Sequence, residues 1–179
     1  DITYDQAMRV EADVDKDDQL DYLIDLDVVV SAGSLVGQVY LDNDGNGKYS
    51  ATADEKLVGA TVIFENATNG FQAEAVSTAD GYEIAGISPM NGIVRVEYQG
   101  HVFGTANVQI KIGSPVSKDL FVEPATMSGN ATLADGTAAS QVAISLLDRT
   151  SGLVIETATD STGAFAFDGL LPGNYTIRT

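Results

Sequence analysis

A set of five residues occurs twice in this chain. Tyr82, Ile84, Gly86, Ile87 and Pro89 return 83 positions later as Phe165, Phe167, Gly169, Leu170 and Pro172. Whatever the chain folds into must therefore be a unit small enough to be built twice within 179 residues. Each block reads the same way: a turn glycine, an alternating strand, a Gly-apolar step, then Pro and Gly before another strand. Upstream, Gly37 and Gly129 stand 92 apart, and Val62 and Val142 stand 80 apart. The offset falls by 12 between these two matches, so the first copy carries that many extra residues between its first two strands. They form an Asp-rich loop, an added device on a unit that also exists without it.

The rest of the chain agrees with a strand-built unit. Runs such as Leu35 to Leu41, Ala60 to Phe64, Ile93 to Tyr98, Val108 to Ile112, Val142 to Leu146 and Tyr175 to Ile177 alternate with a period of two. Turn signals separate them at Asn69-Gly70, Asp80-Gly81, Asn91-Gly92, Asp135-Gly136 and Ser151-Gly152. Amphipathic helical spacing is scarce, and 18 glycines suit short strands with tight turns. The expectation is an all-β fold of sandwich type.

Composition removes several function classes. There is no cysteine, so disulfides, thiol catalysis and Cys-based metal sites are excluded. A single histidine, His101, argues against a His-based catalytic or metal centre and reads as a surface or edge residue at a strand start. Ser88 and Ser145 lack a Gly-x-Ser-x-Gly setting. A net charge of −17 opposes binding to nucleic acid and to anionic membrane surfaces, and calls instead for a divalent cation. No run approaches the roughly 20 apolar residues of a membrane span. The first residue is Asp1, which reads as a processed chain or a piece of a longer one. Asn66, Asn130 and Asn174 sit in Asn-x-Ser/Thr sequons, candidate glycan acceptors in a secreted chain.

At this point two resemblances emerge. Residues Gly37 to Tyr98 contain a strand, Asp-x-Asp-x-Asn-Gly, an Asp-Glu pair, Gly-x-x-Val, Thr-x-Asp-Gly-Tyr and a later Gly-x-Val. This series resembles the B-type repeats of serine-aspartate surface proteins, relatives of collagen-adhesin modules. Gly129, Asp135-Gly136, Gly152, Gly163, Phe165, Phe167 and Pro172-Gly173-x-Tyr175 resemble the carboxypeptidase regulatory-like, transthyretin-like module. The resemblance implies tandem immunoglobulin-like or transthyretin-like β-sandwiches of seven strands each, with a structural or adhesive role and no catalysis. The internal Lys–Asn isopeptide bond of some relatives is not expected, because LVGQVYL and SGNATL have no Lys at the required place. The organisation expected is an acidic strand segment over 1–33, a calcium-loop sandwich over 34–124, and an apparently incomplete second sandwich over 125–179.

Two acidic loops carry candidate calcium ligands. Asp42, Asp44, Asn46 and Lys48 occupy positions one, three, five and seven of a calcium loop, with Gly47 at six and Lys48 contributing only its carbonyl. Ala53 stands where a helix-flanked loop has its closing Glu, so Asp54 and Glu55 are the candidates to complete the shell. Asp13, Asp15, Asp17 and Asp21 give positions one, three, five and nine of a second, partial match that lacks the central Gly. Residues 1–27 hold ten acids against Arg9 and Lys16, and carboxylates so close together repel unless protons or a cation neutralise them.

These features predict a non-enzymatic, extracellular, cell-surface protein: a segment or subunit of a calcium-stabilised fibre, stalk or surface layer. The alternatives are a ligand-binding adhesin and an accessory module of a larger secreted enzyme. The two strand-like runs before residue 33, and about 27 residues missing from the second sandwich by analogy with the first, suggest either strand donation between copies in a filament or a piece cut from a longer tandem array.

Overall fold

The computed structural model describes residues 4–12, 22–30 and 32–179, with side chains from residue 32 onward. The described chain is all-β. Strands β1 (Tyr4–Ala12) and β2 (Tyr22–Val30) pair antiparallel, with Val10 opposite Ile24 and Met8 opposite Leu26. Asp13, Asp15, Asp17 and Asp21 lie outside the described residues.

The first sandwich is built from ten short strands. They are β3 (Gly33–Gly37), β4 (Val39–Leu41), β5 (Glu55–Lys56), β6 (Thr61–Asn66), β7 (Phe71–Val76), β8 (Tyr82–Ile87), β9 (Asn91–Tyr98), β10 (His101–Gln109), β11 (Val116–Ser117) and β12 (Leu120–Val122). One sheet has the order β10-β9-β6-β7, all antiparallel. Opposite it, β3 pairs with β8 and with β11, while β4 pairs with β12 and β5. Strands β3 and β4 are one path bent at Gln38, whose amide donates to Asp119 Oδ1 at 2.8 Å where the partner path bends too. The main-chain bonds Lys118 N–H to Val36 and Leu120 N–H to Gln38 bridge the bend, so the parallel pairing runs through it.

The period-two pattern explains the core. Val62, Phe64, Val94 and Val96 of one sheet are fully buried, and they meet Leu35, Ile84, Ile87 and Leu120 of the other. Each such side chain contributes roughly 1.5–3 kcal/mol on removal from water. Phe71, Tyr98 and Phe103 pack at the margin of this core.

The second sandwich repeats the plan with fewer strands: β13 (Ala125–Asn130), β14 (Ala143–Asp148), β15 (Val154–Ala158), β16 (Ala164–Leu170) and β17 (Tyr175–Arg178). Its sheets are β13-β16 and β15-β14-β17, the counterparts of β3-β8 and β7-β6-β9. The register is conserved to the residue. Leu35 faces Ile84 as Met127 faces Phe167, and Gly37 faces Tyr82 as Gly129 faces Phe165. Both pairs slip at the same point, between Gly33 and Leu35 and between Ala125 and Met127. The extra residue falls beside Gly86 (φ 75°) and Gly169 (φ 69°), so the Gly-apolar step of the sequence is a bulge that needs a left-handed residue. Ile144, Leu146, Phe167 and Leu170 form the smaller second core.

Candidate metal centre

The Asp-rich loop leaves β4 at Asp42, whose amide donates to Val122 at 3.0 Å and whose side chain is 1% exposed. Asp42 Oδ2 accepts the Gly47 N–H at 2.7 Å, and its Oδ1 accepts the Asn46 N–H at 3.2 Å. Asp44 Oδ1 accepts the same Asn46 N–H, and Asn46 Oδ1 accepts the Lys48 N–H at 2.7 Å. Gly45 and Gly47 both have positive φ (69° and 70°), which winds the loop tightly enough for alternate side chains to converge.

Twelve residues after Asp42, Asp54 returns to the same place. Its Oδ1 accepts the Asn43 N–H at 3.0 Å and its Oδ2 the Ser50 N–H at 2.7 Å, which ties both ends of the loop together. Carboxylate oxygens of Asp42, Asp44 and Asp54 then all lie within 4.8 Å of one another. Glu55 is carried on β5 opposite Leu41, where it is exposed and outside this group.

Among the described residues no Lys or Arg lies within 4 Å of these carboxylates. Lys56, on β5, donates to the Ala79 carbonyl and lies 5.0 Å over the Tyr49 ring. Tyr40 is fully buried between Phe121 and Tyr49, and its hydroxyl has no hydrogen-bond partner. Burial, and then the charges of Asp119, Asp42, Asp54 and Asp44, push its phenol up to about 12. Three converging carboxylates, with an Asn amide oxygen on the same loop, fit a hard cation with oxygen ligands.

The sequons are placed differently from one another. Asn130 and Asn174 are exposed. Asn66 is half-buried, with its Nδ2 donating to the Asn91 carbonyl at 2.8 Å and its Oδ1 accepting the Thr68 N–H.

His101 departs from expectation. It is buried, 6% exposed, because the turn before β10 is covered by the second sandwich. Its Nε2 lies 2.7 Å from Asp148 Oδ2 and its Nδ1 3.2 Å from the Pro172 carbonyl. Leu171 completes this joint by packing into the first core. No sequence periodicity marks a contact between modules, so only the isolation of one His in the chain could have flagged it. Burial works to raise the carboxyl of Asp148, but bonds from Ser151, His101 and the amides of Thr150 and Ser151 outweigh it and bring it down to about 2. Ser151 donates to the carboxylate, not to the imidazole, so no base activates its hydroxyl.

Two open clefts lie on the surface of the described residues. One of about 470 Å³ lies between the β6–β7 turn, the start of β9 and the end of β10, lined by Asn66, Asn91 and Gln109 among others. The other, about 650 Å³, spans the joint between Gln99-Gly100 and Thr150–Leu153. Neither gathers a titratable pair suited to acid–base chemistry.

Comparison with solved structures returns the TIE protein of Bacillus anthracis, 17% identical with a TM-score of 0.43, over 98% of this chain and 35% of that one. The shaft pilin SpaA of Lactobacillus rhamnosus GG is 8% identical with a TM-score of 0.36, over 82% of this chain and 86% of that one. The chain thus spans about a third of the length of the B. anthracis protein. No curated protein matches it. Residues 126–179, which hold the second sandwich, match the model of the carboxypeptidase regulatory-like domain.

Proposed function

We propose that this chain is a non-catalytic structural segment of an extracellular, cell-surface fibre, stalk or surface layer, stiffened by calcium. The observation that carries this reading is the joint: two copies of one sandwich are held together by a buried His–Asp contact and by Leu171 entering its neighbour's core. A module whose task is to keep its neighbour in place needs such a contact, whereas a flexible linker would suit a tethered enzyme. The first sandwich is read as a serine-aspartate B-type module. Its cation would be held by Asp42, Asp44, Asn46 and Asp54, with the Lys48 carbonyl, pinning the long β4–β5 connection to the sheet. Millimolar calcium, as found outside cells, would load a site with a dissociation constant of roughly 10⁻⁴–10⁻³ M.

Pulling the chain by its ends tests the reading. Two separate unfolding events are expected, the stronger rising in calcium and falling in chelator. A chain that yields at low force, indifferent to calcium, contradicts it.

A specific observation favours strand donation as the way segments join. Ile177 is 47% exposed while its counterpart in the first sandwich, Val94, is fully buried. Among the described residues, strands β1 and β2 pair with each other and with no other strand. Supplied by another copy, they would cover that face and extend the β17 edge. Electron microscopy with calcium and then with chelator separates the outcomes: filaments support donation, monomers under both conditions oppose it.

A further inference from the structure

We infer that the joint between the sandwiches is an acid-tightened clamp, closed when the single histidine, His101, carries two ring protons and slackened when it loses one. The inference rests on the structural reading above only in taking the two modules as a mechanical pair.

The argument is one of donors and acceptors. Both ring nitrogens of His101 face oxygen acceptors: a carboxylate oxygen of Asp148 at 2.7 Å and the carbonyl of Pro172 at 3.2 Å. Neither oxygen has a proton to give while Asp148 is ionised. A neutral imidazole has one N–H and one bare nitrogen, so it can satisfy only one of them and must set a lone pair against the other. The imidazolium has two N–H groups and satisfies both. With His101 and Asp148 respectively 6% and 3% exposed, water has little access to make up the lost bond.

The neighbours leave His101 as the charge partner. On β14 the facing charged group is Asp148, and among the described residues no Lys or Arg comes within 4 Å of it. Arg149 beside it is exposed. The following turn brings Ser151 and Thr150, which offer a hydroxyl and an amide to Asp148. The β16–β17 turn brings Pro172 and Gly173, the latter so close that a Cβ there would lie 2.7 Å from the ring. From β17 comes the phenol of Tyr175, raised by burial and then by the charge of Asp148, with its proton donated to the Leu171 carbonyl. On the histidine's own side, Glu97 is engaged by Arg95.

The clamp is special to this joint. The repeat pairs Asp148 with Asn66 and Leu171 with Ser88, so the first sandwich has the same turns without the acid or the apolar anchor. Asn66 nevertheless caps its turn as Asp148 does, accepting the amide two residues on.

The test uses the whole chain, in which every histidine signal belongs to His101. Nitrogen-15 spectra of the ring are recorded across a pH series, together with backbone relaxation. Where the ring carries both protons, one shared tumbling time for both sandwiches is expected. Where it carries one, the joint should open roughly tenfold more often, the scale of one hydrogen bond to a charged group. The His101→Gln chain should be equally loose throughout the series. Should it fail to fold, Asp148→Asn, which keeps the turn as Asn66 does, should likewise lose the pH dependence. Joint motion in the unaltered chain that does not follow the number of protons on the ring overturns the clamp.

Discussion

Ser77 and Thr159 occupy the same place in the two sandwiches and do the same work. Ser77 Oγ donates to the Leu57 carbonyl and accepts the Ala60 N–H; Thr159 Oγ1 donates to the Ala139 carbonyl and accepts the Val142 N–H. Both are buried to within 2% of full cover. Replacing Thr159 with Val leaves two buried main-chain groups unpaired, so a loss of about 2–3 kcal/mol is expected in urea unfolding of the second sandwich. Within the same loop, Gly59 has φ 86° while its counterpart Gln141 has φ 59°. Gln141→Gly should therefore stabilise the second sandwich by about 1 kcal/mol, read as a raised urea midpoint. Little of this was legible beforehand. A hydroxyl that staples a loop leaves no periodic trace, and Ser77 and Thr159 look like any strand-end polar residue until the Gly-rich turns on either side are closed.

At the scale of the element the sequence was far more readable, because alternation and turn glycines are what strands are made of. Most strands fall where the period-two runs lie, and the repeated Gly-apolar step is the shared bulge; the run Val108 to Ile112, however, is strand only as far as Gln109, and the Asn91-Gly92 turn signal lies inside β9. Finer features depended on packing across the sheet. A Cβ on Gly92 would lie 2.3 Å from the Phe64 ring, which is itself fully buried. Gly92→Ala must displace that ring and should cost about 1–3 kcal/mol, seen as a lowered midpoint for the first sandwich alone. The second sandwich has Tyr175 at the corresponding position, so the demand belongs to one copy and not to the strand pattern. The Asp-rich loop was legible as a spacing of acids. That Asp54 and not Glu55 joins Asp42 and Asp44 depends on the strand that follows, because β5 turns alternate residues to opposite sides.

For the whole molecule, the joint was the feature hidden from the sequence, and it reverses the surface role expected of His101. Its lower pH limit follows from Asp148. The Asp148 carboxyl is held at about 2, below its ordinary value of 3.8, so its contribution is complete above about pH 4 and is lost as pH falls through about 2. Acid unfolding should accordingly steepen below pH 4 in the unaltered chain and flatten in Asp148→Asn. The central claim, a metal-stiffened structural module, is tested most directly by scanning calorimetry of the chain in 2 mM calcium, roughly extracellular, and in excess chelator. The account predicts that the first sandwich gains about 1–2 kcal/mol, a rise of roughly 5–10 °C in its melting temperature. The gain should vanish in a chain carrying Asp42→Asn and Asp54→Asn, with the second sandwich unmoved. Identical melting of the unaltered chain with and without calcium would contradict it.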